Sequence, residues 1–137
     1  MQCIYIYRFQ ERNMLLKVAR NAVGAIIVLA EKLTRPQPVV RTPEQQAQVR
    51  AAMENLSLYQ LQACPFCVKT RRALYKMNAQ VELRDIGRDQ TYRTELEQGG
   101  GRVMVPCLRI EENGEVTWLY ESSDIIRYLQ QRVAQAV

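Results

Sequence analysis

Two cysteines set three apart, Cys64-Pro65-Phe66-Cys67, stand where one kind of local pattern gives way to another. Upstream lies an extended apolar run, Leu56-Ser57-Leu58-Tyr59-Gln60-Leu61; downstream, Val68 to Met77 has the composition of a helix. The cysteines therefore belong to a strand-to-helix junction. Pro65 suits the first helical position, where its missing N–H is not needed and its φ is already helical. Cys64 then falls at the N-cap, at the positive end of the helix dipole, which favours a thiolate. Lys69, Arg71 and Arg72 add positive charge close by. Cys67 is within reach of Cys64 for a disulfide. One activated sulfur that attacks and a second that resolves the mixed disulfide are what a dithiol redox centre requires.

Two other uses of the pair compete. Half of a zinc site would need four ligands, but the chain has no histidine and only Cys3 and Cys107 as further thiols. A pair of inert core cysteines is the second, since free cysteine is often buried. The strand-then-helix context favours redox chemistry over both.

A chain of 137 residues accommodates one domain with an appendage. Four cysteines are too few for a disulfide-stapled secreted scaffold, and no signal-peptide pattern is evident. A reducing, cytoplasmic setting is expected, with the inner face of a membrane as a further location. The net charge of +5 is uneven: residues 1–55 hold eight Lys/Arg against four Asp/Glu, and residues 56–137 eleven against ten. No basic run interleaved with aromatics occurs, so nucleic acid is not an expected partner.

Residues 1–13 alternate weakly and read as an edge strand or a disordered leader, with Met14 an equally good start. From Leu15 to Leu33 the apolar residues recur on one broad side of a helix, with Lys17, Arg20, Asn21, Gly24, Glu31 and Lys32 opposite and only Val28 out of place. Its longest uncharged run, Asn21 to Ala30, is too short to span a bilayer. The apolar side has three possible fates: packing on the rest of the chain, pairing with another chain, or lying in a membrane interface. Thr42-Pro43-Glu44 opens a short polar helix to about Asn55, which reads as a linker. The expected organisation is a helical extension and linker over 1–55 and a redox domain over 56–137.

Within 56–137 the pattern alternates. The spacing predicts strands over Leu56–Leu61, Val81–Ile86, Val103–Ile110 and Val116–Tyr120, the last two joined by an Asn113-Gly114 hairpin turn. It predicts helices over Pro65–Met77, Asp89–Gln98 and from Ser122 to about Val133. Thr70, Ala73, Leu74 and Met77 are spaced to face a sheet, and Ile125, Ile126, Leu129 and Val133 form a second buried stripe. The order β-α-β-α-β-β-α gives an α/β fold, a four-stranded mixed sheet with flanking helices, preceded by the N-terminal amphipathic helix.

With these pieces in place, residues 56–137 resemble a glutaredoxin, of the thioredoxin-like superfamily, and are similar also to the N-terminal domain of glutathione S-transferases. Cys64-Pro65-Phe66-Cys67 resembles the family dithiol, with Phe66 where tyrosine is usual. Val105-Pro106 resembles the family's Val-Pro step, whose proline is cis and whose valine backbone pairs with glutathione. Glu121-Ser122 is similar to the pair that holds the γ-glutamyl end of glutathione; from the residues alone it is equally a helix cap. Pro106 alone could be an edge-strand proline. The chain departs from the family pattern at Leu61, where lysine is common, leaving Arg71, Arg72 or Arg102 to meet the glycine carboxylate. It departs again at Met104, where threonine is common. Cys107 reads as a small core thiol.

The resemblance implies a thiol–disulfide oxidoreductase that reduces protein disulfides or glutathione mixed disulfides, with Cys64 and Cys67 catalytic, glutathione as reducing co-substrate and no metal. Pro65, Phe66, Val105, Pro106, Glu121 and Ser122 would bind the glutathione. The rival is a carrier of a [2Fe–2S] cluster ligated by Cys64 and glutathione; Pro65 stands against it, since cluster-binding members more often have glycine there.

Overall fold

The computed structural model describes residues 2–137, with side chains from Met14 onward. Four strands, β1 (Leu56–Gln60), β2 (Glu82–Asp85), β3 (Cys107–Glu112) and β4 (Glu115–Tyr120), form one sheet in the order β2-β1-β3-β4. β1 runs parallel to β2 and antiparallel to β3, and β3 pairs with β4 through the predicted hairpin. Asn113 and Gly114 both take positive φ, 53° and 79°, as a tight two-residue turn demands. β1 is central, and all five of its residues are buried.

Helices cover both faces, following the period of two along the strands. Leu56 and Leu58 of β1 and Leu108 and Ile110 of β3 point to the face packed by α2 (Pro43–Met53), α3 (Pro65–Met77) and α5 (Ser122–Ala136). Tyr59 and Cys107 point the other way, to Ile86, Leu96 and the side of α4 (Gln90–Glu95). α4 continues into a π-helical turn, Leu96–Gly100. The glycines there do more than end a helix: Gly99 lies against the Trp118 ring and Gly100 against the Tyr120 hydroxyl, so closely that a Cβ on either would collide.

Several expectations need correction. β3 starts at Cys107 rather than Val103, because Pro106 has no N–H for the ladder and pairing begins at the next residue. Residues 43–55, read as a linker, bury Val49 and Met53 in the main core. Thr42 caps α2 with a complete capping box, and Arg132 of α5 donates to the Ala52 carbonyl at 2.9 Å. Residues 2–13, expected as an edge strand or a disordered leader, are instead helical and form the first part of α1 (Gln2–Leu33). Once the periodic segment has nucleated a helix, extension costs little, and this outweighs the local strand preference of Ile4-Tyr5-Ile6-Tyr7.

The helix predicted over 15–33 is present, but it meets the domain with its polar side. Glu31 is buried against Arg71 of α3, and Gly24 approaches Ala63. Arg72 donates to the Thr34 hydroxyl and carbonyl at 2.8 and 2.7 Å, where α1 leaves exposed carbonyls. The apolar side faces away from the domain.

Candidate active site

The turn after β1 delivers the dithiol. Cys64 is the N-cap of α3, in an extended backbone (φ −71°, ψ 124°), with Pro65 in the first turn as predicted. Its carbonyl accepts the first helical bond, from Val68 N–H at 2.9 Å. Cys64 is partly exposed, whereas Cys67, one turn further in, is fully buried. Both are free thiols here.

Burial pushes the Cys67 thiol up to about 12. The Leu61 N–H, which donates to its Sγ at 3.5 Å, opposes this, the neighbouring Cys64 sulfur adds to it, and the Arg71 charge opposes it. Cys67 is thus held as a protonated thiol beside an accessible sulfur. Cys64 is therefore the sulfur of the pair that an incoming group can reach. The Leu61 N–H and the Arg71 charge are the two groups that favour a thiolate at Cys67.

Cys107 is also buried, and burial pushes it up to about 11, with the Tyr120 hydroxyl and Arg102 acting against the shift. It lies in the α4-side core, in keeping with its reading as a core thiol. Both shifts have one consequence for stability. A thiol that titrates near 9 when unfolded and higher when folded keeps its proton longer in the native state. The native state then binds more protons, so stability is whole below about pH 9 and falls as pH rises toward 11 or 12. Denaturant unfolding of the reduced protein is expected to show a decline of up to about 1.4 kcal/mol per pH unit per thiol above pH 9. The decline should be shallower in Cys107→Ala. An unchanged slope in that variant would contradict the assignment.

Val105-Pro106 precedes β3 with a cis peptide bond, as the resemblance implied. Beside it opens a groove of about 230 Å³, lined by Phe66, Met104, Val105, Pro106, Tyr120, Glu121 and Ser122. The structure thus gathers five of the six residues assigned to glutathione, Phe66, Val105, Pro106, Glu121 and Ser122, around one depression. The sixth, Pro65, lies between Cys64 and Phe66 on the same helical turn. Ser122 is buried at the start of α5. Glu121 before it is exposed and takes φ 73°, ψ 115°, a backbone that costs a non-glycine residue about 1–3 kcal/mol. Strain of this kind concentrates where a site needs a particular backbone direction. Tyr120 was not foreseen in the groove; its place directly before Glu121 was the available signal.

The three arginines considered for a carboxylate are not equivalent. Arg71 is consumed: it pairs with Glu31 at 2.6 and 2.9 Å, donates to the Leu61 and Gln62 carbonyls at 3.3 and 2.6 Å, and contacts the Gln60 amide oxygen. Arg72 is tied to the end of α1. Arg102 is not tied to α1; its guanidinium lies 4.4 Å from the centre of the ring of Tyr120, which lines the groove. Lys69 also approaches this side, donating to the Ser123 hydroxyl at 3.2 Å. On its other side Cys64 lines a wider groove between α1 and the domain, with Arg20, Val28, Lys32, Leu61 and Arg88. Among the described residues no group of three or more His, Cys, Asp or Glu side chains is placed to hold a metal ion.

A parallel β1–β2 pair, an antiparallel hairpin, a Cys-x-x-Cys at the head of α3 and a cis proline before β3 are the features of the thioredoxin-like fold. The glutaredoxin family model matches residues 56–116, somewhat under half of the chain. A search of the curated proteins found no match. Among solved structures, a thioredoxin-like protein is 26% identical over 57% of this chain and 97% of its own, with a TM-score of 0.43. A wheat glutaredoxin is 17% identical over 72% of this chain and 98% of its own, with a TM-score of 0.47. A maleylacetoacetate isomerase from Anaeromyxobacter dehalogenans, solved with dicarboxyethyl glutathione and citrate in its active site, is 23% identical over 59% of this chain. This chain spans 38% of that protein, with a TM-score of 0.45.

Proposed function

We propose that this protein is a glutathione-dependent thiol–disulfide oxidoreductase of a reducing, cytosol-like compartment. The groove that joins Phe66 and Val105-Pro106 to Glu121-Ser122, beside the turn that carries Cys64, is the observation that supports this reading. The Cys64 thiolate attacks a substrate disulfide, forms a mixed disulfide and releases one substrate sulfur as a thiolate. With a glutathione mixed disulfide as substrate, glutathione is retained on Cys64, and a second glutathione thiolate attacks it to give glutathione disulfide and free Cys64. With a protein disulfide, Cys67 loses its proton to the leaving thiolate, directly or through water. It then attacks the Cys64 sulfur, frees the reduced protein and closes the Cys64–Cys67 disulfide. Two glutathione molecules, oxidised to one glutathione disulfide, restore the dithiol. The direction is set by the glutathione pool.

The groove supplies suitable partners for each end of the tripeptide. The Val105 backbone can pair with the cysteinyl residue as an added strand. The Ser122 hydroxyl and the first N–H groups of α5 suit a carboxylate, Glu121 suits the γ-glutamyl amine, and Arg102 or Lys69 suits the glycine carboxylate. No observation favours the rival cluster carrier. Steady-state turnover of a small glutathione mixed disulfide tests the assignment. Ser122→Ala and Glu121→Gln should each raise the KM for glutathione about tenfold, as loss of a charge-assisted hydrogen bond does. An unchanged KM in both variants would remove the site.

A further inference from the structure

Among the described residues the apolar side of α1 has no partner in the fold. Leu15, Leu16, Val18, Ile26 and Leu33 each keep 60% or more of their surface exposed. The domain occupies the opposite side of the helix, held there by Arg71 and Arg72. Residues 2–13 continue the same helix and so do not fold back over this side. From Met14 to Leu33 the face is about 30 Å long. That is a far larger contiguous apolar surface than a soluble domain leaves to water without a use for it.

The charge around it selects the occupant. At 100° per residue Arg20 lies on one edge of the apolar arc and Lys32 on the other, with Lys17 behind. The one acidic residue between Met14 and Leu33 is Glu31, which is buried against Arg71. The exposed charge of this stretch is therefore wholly positive. A second copy laid against the face would bring cationic edge to cationic edge, with no exposed carboxylate between Met14 and Leu33 on either helix to answer them. An anionic lipid surface answers them all. No helix among the described residues is long and apolar enough to cross a membrane. A wide apolar face, a basic polar side and low net hydrophobicity are the features of a helix that lies in the interface plane.

We infer that α1 docks the protein on a bilayer rich in anionic lipid, with the Leu15–Leu33 apolar face in the headgroup–acyl boundary and Arg20 and Lys32 at the phosphates. The same helix walls one of the grooves at Cys64, so docking holds the dithiol at the membrane surface. The inference does not depend on which thiol reduces the enzyme.

Co-sedimentation of the full chain with vesicles tests it. Binding is expected to phosphatidylcholine vesicles containing phosphatidylglycerol, to fall with added salt, and to be at least about tenfold weaker on pure phosphatidylcholine. Arg20→Gln should weaken it about fivefold. Val18→Glu with Ile26→Glu should abolish binding and leave dithiol turnover intact, since both side chains are exposed and outside the site. Three results would overturn the inference. One is equal, salt-independent binding to both vesicles. Another is a soluble dimer that the double variant dissociates, with no vesicle binding. The last is a monomer that binds neither vesicle.

Discussion

Cys64→Ser is expected to lose all measurable turnover, while Cys67→Ser keeps its activity on glutathione mixed disulfides and loses it on protein disulfides. The asymmetry follows from the geometry. Cys64 is the only sulfur of the pair that reaches solvent; Cys67 is buried, protonated and one helical turn inside. A serine at position 64 removes the nucleophile, and no second exposed thiol stands on the same turn to take its place. A serine at position 67 removes only the resolving step, which a second glutathione replaces when the mixed disulfide already carries glutathione. Intact turnover in Cys64→Ser, or equal losses in both variants on the glutathione substrate, would contradict the assigned roles.

The second large effect is expected at Arg71. This side chain joins three parts of the molecule: Glu31 of α1, its own helix α3, and the Gln60–Gln62 turn that sets the position of Cys64. Both members of the Glu31–Arg71 pair are largely buried, with 6% and 12% of their side-chain surface exposed. Arg71→Ala leaves a buried carboxylate and the Gln62 carbonyl without their donor, while the Leu61 carbonyl keeps the Cys64 N–H. Breaking a buried pair costs about 3–5 kcal/mol; about 3 is expected here, because α1 can release Glu31 back into water. Glu31→Ala combined with Arg71→Ala should recover part of that loss, since neither charge is then stranded. Chemical denaturation and limited proteolysis within α1 are the readouts. A single variant within about 0.5 kcal/mol of the parent, with α1 still protected, would show that the pair does not hold the helix.

Much of the redox domain was legible because its signals are local. A proline after a cysteine fixes a helix start, Asn-Gly fixes a hairpin, and alternation separates the two faces of a strand. The order of these pieces leaves little choice of topology. The candidate site was legible for the same reason: each of its three parts is a dipeptide or tetrapeptide at an element boundary. The structure then places Phe66, Val105, Pro106, Glu121 and Ser122 around one groove.

What escaped depends on residues far apart in sequence. Periodicity gives a helix its apolar face but not the partner of that face, and α1 docks by its polar side because Glu31 finds an arginine 40 positions away. α2 is mostly polar, yet Val49 and Met53, four apart, are enough to bring it into the core. The same long-range contacts decided the arginines. Arg71 and Arg72 looked available for a carboxylate when only their nearness to Cys64 was known, and both are used to hold α1. Gly99 and Gly100 directly follow the helix predicted over Asp89–Gln98, and their close approach to Trp118 and Tyr120 is visible only once β4 is laid beside them.

The choice of reductant tests the central claim most directly. The oxidised full-length protein, carrying the Cys64–Cys67 disulfide, is given glutathione with glutathione reductase and NADPH, and separately thioredoxin reductase with NADPH. NADPH consumption is followed during reduction of a disulfide substrate. The groove beside Cys64 predicts sustained turnover with glutathione and little with thioredoxin reductase. Turnover supported by thioredoxin reductase alone would contradict it and place the dithiol in a glutathione-independent pathway.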